Sequence, residues 1–145
     1  MPAATATAVA FDQPDASAPA RLPLSDVIAE IAARRDEFDR LSHVPRDVIA
    51  KLKRAGIYRA ATPRRFGGDA LAPSAFLDMI ERIAAADGSA AWVASFGSAN
   101  VYLAALPLQT QAEIYADSPD QVFAGGLFPV QTAQPAKSFQ TVRAN

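Results

Sequence analysis

The sequence predicts an all-α domain of five helices, followed by the first hint of β structure. Three observations predict it. Apolar residues between Leu24 and Leu41 recur at helical spacing. Proline and glycine stand where helices start and stop, at Pro45, Gly56, Pro73 and Pro107. The stretch from Gly88 to Ala112 carries no Asp, Glu, Lys or Arg, as expected of a helix buried on most sides.

Residues 1–23 read as a disordered tail of Ala, Pro and Thr without the charge pattern of a targeting peptide. In the first helix Leu24, Val27, Ile28, Ile31, Phe38 and Leu41 form one apolar stripe, opposite Arg34 to Arg40. A second helix opens at Pro45, buries Val48, Ile49 and Leu52, and stops at Gly56. Gly67 and Gly68 fit a turn, because the further glycines and the Lys-Ser/Thr ending of a phosphate loop are missing. A third helix runs from Pro73 through Phe76, Leu77, Ile80 and Ile83 to Ala86. Asp87 and Ser89 are candidate caps for the fourth, over 89–106. Pro107 starts a short fifth helix that ends near Asp117. Residues 121–129 read as extended chain.

Composition narrows the chemistry. The 145 residues are 50% apolar with a net charge of −1, which argues against nucleic acid as a partner. With no cysteine and one histidine, neither a disulfide scaffold, a thiol nucleophile nor a multi-histidine metal site is expected. The uncharged stretch is too rich in Ser, Asn, Gln and Gly for a membrane span, so a cytoplasmic protein is expected.

Few residues point to chemistry. The carboxylates lie beside arginines, as Asp78 does four residues from Arg82, and read as solvated faces. Lys51, Lys53, Arg54, Arg59, Arg64 and Arg65 form a basic run suited to solvent or to an anionic ligand or partner. His43, just before Pro45, suits capping. Trp92, the only tryptophan, continues through Phe96 and Asn100 along one side of the fourth helix. A core aromatic and the wall of a pocket for a planar ligand both fit it. No catalytic residue is assigned.

Val44-Pro45-Arg46, Leu52 to Arg59 and Pro63 to Gly68 together resemble the opening of the acyl-CoA dehydrogenase superfamily. So does Ile83 to Val93. Gly88-Ser89-Ala90-Ala91-Trp92-Val93 and Phe123 to Pro129 are most similar to the flavin-dependent monooxygenase branch. The resemblance implies an N-terminal helical bundle over 24–120 and the start of a β-domain over 121–145. In the full-length family a β-barrel-like domain and a C-terminal four-helix bundle follow. It also implies a homo-tetramer and reduced FMN or FAD, delivered by a separate flavin reductase to a site completed only with those further domains. The reaction would be oxygenation of an aromatic or heteroatom substrate. An FAD-dependent acyl-CoA dehydrogenase and a non-enzymatic helical interaction module are the alternatives.

Residue by residue, the resemblance places Trp92, Phe128, Pro129, Gln131 and Thr132 near the flavin. It places Trp92, Phe96 and Asn100 near the substrate, Asn100 standing where several branch members carry histidine. Ala136 to Asn145 do not alternate as a barrel strand would, so a truncated or frame-shifted reading of a longer gene is expected. The chain alone is expected to lack turnover and to self-associate through its uncharged helix.

Overall fold

The computed structural model describes residues 20–123, and among them it contains helices and no strand. Helix α1 spans Leu24–Ala33 and buries Val27 and Ile31. The apolar periodicity predicts one helix through Leu41, but the chain breaks at Arg34 and resumes as α2, Arg35–Leu41. The break carries a charge cluster, which apolar periodicity does not register. The Arg34 guanidinium bonds Glu30 at 2.8 Å, Glu37 at 2.7 Å and Asp47 at 2.6 Å. The break still lets Phe38 return to the core, while Leu41 at the end of α2 is left exposed.

Arg35 has a different use. Its guanidinium donates to the carbonyls of Ala86 and, at 2.9 Å, Ala85, closing the end of a later helix whose last carbonyls lack partners within it.

Helix α3, Arg46–Arg54, follows Pro45 and buries Val48 and Leu52. It ends where Gly56 takes the left-handed conformation (φ 90°) that a side chain would resist. The basic run does not form one patch. Lys51 bonds Glu30 at 2.5 Å, joining the Arg34 cluster, and Arg59 pairs with Asp120. Single 3-10 turns at Ile57–Arg59 and Arg64–Phe66 carry the chain to Gly67 (φ 79°). The return of this loop is laced by Asp69 N to Arg59 O (3.1 Å), Ala70 N to Thr62 O (3.0 Å) and Leu71 N to Ala60 O (2.8 Å).

Helix α4, Pro73–Ala86, starts on proline and sends Phe76 and Ile83 inward. Asp87 then caps α5, Gly88–Ser95, by accepting from Ala90 N at 2.7 Å. Ala86, Ala90, Ala91 and Ala94 are buried, so α4 and α5 approach over small side chains. The expected fourth helix does not continue as α-helix: Phe96–Ala105 is 3-10. Ser95 and Ser98 hydroxyls bond the carbonyls of Trp92 and Ser95 at 2.7 Å, each three residues back, which favours the tighter winding. Gly97 permits the close passage, since a Cβ there would lie 2.8 Å from Ile57 O. Helix α6, Leu108–Tyr115, follows Pro107. Residues 121–123, the described part of the expected extended run, are neither helix nor strand.

The Arg34 cluster makes stability pH-dependent. Hydrogen bonds hold three carboxyls below their ordinary values: Glu30 chiefly through Lys51, Glu37 and Asp47 through Arg34. Groups with lowered folded values stabilise fully above the unfolded values, here 4.5 for Glu and 3.8 for Asp, and lose that contribution as pH falls through the folded ones. Arg34→Ala should therefore lower the urea midpoint at pH 7. The deficit relative to wild type should shrink progressively below about pH 4.5 and in about 1 M salt. An equal deficit at pH 7 and pH 2 would contradict this electrostatic origin.

Candidate functional site

Burial of the alanine face of α5 against α4 turns the opposite face outward. Trp92 lies on that face, 69% exposed, so the core-aromatic alternative does not hold within the described residues. Phe96 meets its ring edge-on, with centroids 5.8 Å apart and planes at 77°. Beside the indole is a hollow lined by Phe38, Ser42, His43, Val44, Ser89 and Val93. His43 Nδ1 lies 2.9 Å from Leu41 O, which ties the ring to the end of α2.

Further along the uncharged stretch, Gly97, Asn100 and Leu103 are buried, whereas Val101 and Tyr102 are 64% and 70% exposed. The stretch is thus buried on one side by the described residues and leaves an apolar side open. Tyr102 reaches Phe123, with ring centroids 6.5 Å apart.

Asn100 does not join Trp92 and Phe96. Its Nδ2 donates to Tyr58 O at 3.1 Å and Gln121 O at 2.9 Å, on the inner side of the 3-10 segment. Helical spacing places the three residues on one side, but 3-10 winding turns Asn100 away by the time it is reached. Tyr58, buried beneath it, has its hydroxyl pushed up to about 12 by burial, so it remains a neutral phenol at ordinary pH. Phe128, Pro129, Gln131 and Thr132 lie outside the described residues.

The sequence reading missed a clamp on the segment that leads towards those four residues. Arg59 pairs with Asp120, with Nε at 3.0 Å from Oδ1, and Thr62 Oγ1 donates to Pro119 O at 2.9 Å. Together with the Asn100–Gln121 bond, they fix residues 119–121 to the helical domain. Arg59 and Asp120 are 61 residues apart, and nothing in local pattern links them.

Among the described residues no helix is long and apolar enough to cross a membrane. No group of three or more His, Asp or Glu among them could hold a metal ion.

Residues 24–113 match the family described as acyl-CoA dehydrogenase, N-terminal domain, and the chain belongs to that family. Its relatives include the indole-3-acetate monooxygenase of Pseudomonas putida, 60% identical over 119 residues, covering 82% of this chain and 30% of that protein. The oxygenase subunit of a flavin-dependent monooxygenase from Rhodococcus jostii is 28% identical over 120 residues, covering 82% of this chain and 31% of that protein. The crystal structure of 3-HSA hydroxylase from Rhodococcus sp. RHA1 superposes with a TM-score of 0.63 at 30% identity. That match covers 67% of this chain and 25% of the hydroxylase. The chain therefore spans less than a third of the length of these relatives.

Proposed function

We propose that residues 24–120 are the N-terminal helical domain of the oxygenase component of a two-component flavin monooxygenase, and that this domain supplies one wall of the site for flavin and an aromatic substrate. Trp92 carries the reading. A large aromatic residue stands open to solvent on an uncharged face, where burial would be expected if nothing else were to pack on it. The names of the relatives support a monooxygenase over an acyl-CoA dehydrogenase or an interaction module.

The residues present fit a planar ring. Trp92 offers a flat face, Phe96 bounds it edge-on, and Gly88 and Ser89 leave room beside it. When bound, reduced flavin supplies the oxygen chemistry. Trp92 and Phe96 would pack against the ring system and keep water from it, and the clamp at Arg59 would hold residues 119–121 in register with that wall. The start of a β-domain over 121–145, a homo-tetramer, a reductase partner and a cytoplasmic location belong to the same reading.

Because Trp92 is the only tryptophan, it reports on its own surroundings. Anaerobic titration with reduced FMN, and separately with reduced FAD, should quench its fluorescence saturably, and the tighter of the two identifies the cofactor. Quenching that rises linearly with both flavins, after inner-filter correction, would count against the reading.

A further inference from the structure

We infer that His43 Nε2 accepts a hydrogen bond from an N–H or O–H group on the aromatic substrate that packs against Trp92. The inference deepens the role proposed for the Trp92 wall and rests on it. The hollow beside the indole has a volume of about 660 Å³, within the range of small-molecule sites. His43 lines it from the turn between α2 and α3, and Trp92 lines it from α5. The only histidine and the only tryptophan of the chain therefore share one hollow, and both are exposed there.

The turn that carries His43 fixes which ring nitrogen is offered. A carbonyl oxygen only accepts, so the 2.9 Å contact of Nδ1 with Leu41 O places the proton of the neutral ring on Nδ1. Nε2 then keeps a bare lone pair, with no partner among the described residues. The turn itself is firmly set. Ser42 takes the left-handed conformation (φ 57°), uncommon for a residue with a side chain, and its N–H bonds Asp39 O at 3.3 Å.

The rest of the rim points to the same ligand class. The Asp39 carboxylate is also exposed on the lining and in no ion pair among the described residues, and no Lys or Arg among them lines the hollow. An anionic group entering beside Asp39 would lose water without meeting a cation. The Ser42 and Ser89 hydroxyls donate or accept as required, so the fixed groups of the rim are both acceptors. A planar ring with one donor gains the indole face and the bond to Nε2 together.

The full chain with isotope-labelled histidine gives a single imidazole in a long-range proton–nitrogen spectrum. At a pH where that spectrum shows the ring neutral, the proton should sit on Nδ1. Indole should then shift the Nε2 resonance saturably. Benzofuran, the same shape with oxygen in place of the N–H, should bind at least about tenfold more weakly by calorimetry. His43→Leu, at an exposed position, should weaken indole at least about tenfold while leaving the helical circular dichroism and Tm unchanged. A neutral ring protonated on Nε2, equal binding of indole and benzofuran, or unchanged indole binding in a folded His43→Leu chain would overturn the inference. So would an Nε2 resonance that answers to reduced FMN but not to indole, which leaves the flavin reading standing. Indole binding as described, without saturable flavin quenching of Trp92, would sink the flavin reading and keep the His43 contact.

Discussion

Gly68→Ala is expected to destabilise the domain by about 3 kcal/mol, the upper end of what overpacking costs, and to lower Tm by well over about 10 °C. The reason lies in the loop between α3 and α4. A Cβ on Gly68 would overlap the carbonyl and the Cβ of Thr62, and the carbonyl is backbone that cannot swing aside. Thr62 is itself held: its carbonyl accepts from Ala70 N, its hydroxyl donates to Pro119 O, and its side chain is fully buried. Moving it would loosen the laced return of the loop and one contact of the clamp together. Gly88→Ala is the control. Nothing lies within 4 Å of a Cβ there, and the position opens α5, so alanine should be neutral or stabilise by a few tenths of a kcal/mol to about 1. Thermal unfolding of the two variants side by side checks both, and similar melting temperatures would contradict the close-approach explanation.

The second large effect is expected at the clamp. The Asp120 side chain is 3% exposed, and Arg59, 26% exposed, is its cationic partner. Arg59→Ala would leave the carboxylate buried without that partner. Breaking a fully buried pair costs about 3–5 kcal/mol, and the partial exposure of Arg59 reduces the expected loss to about 2 kcal/mol. Asp120→Asn should cost less, because the amide brings no unpaired charge. The double variant should recover part of the loss of Arg59→Ala, giving a coupling energy of at least about 1 kcal/mol in urea unfolding. Strict additivity would mean that the pair does not act as a unit. If the clamp sets the path of the chain beyond Gln121, Arg59→Ala should also weaken the quenching of Trp92 by reduced flavin.

Much of the helical domain was legible in the sequence because its signals are local. Pro45 and Gly56 bracket α3, Pro73 starts α4, and Asp87 caps α5, each through the geometry that its residue type favours. What was not legible depends on partners far along the chain. The ion cluster at the Arg34 break reaches Asp47 on α3, and the 3-10 segment after Ser95 carries serine back-bonding and the close passage of Gly97 past Ile57. For the candidate site, the type of Trp92 allowed both core and pocket wall, and only the packing of α5 on its alanines turned the indole outward. Asn100 shows the limit of spacing arguments: it shares a predicted helix side with Trp92, yet its amide is committed to Tyr58 and Gln121.

The most direct measurement is a domain exchange. Residues 24–120 of this chain would replace the matching segment of the Pseudomonas putida indole-3-acetate monooxygenase, and the product would be assayed with a flavin reductase, NADH and indole-3-acetate. If the segment is the N-terminal domain of a flavin oxygenase, the folded exchange protein should oxygenate substrate in a reductase-dependent manner. Trp92→Ala within it should lower coupled turnover at least about tenfold. A folded exchange protein that binds flavin but never oxygenates substrate, or one indifferent to Trp92→Ala, would contradict the role assigned to this domain.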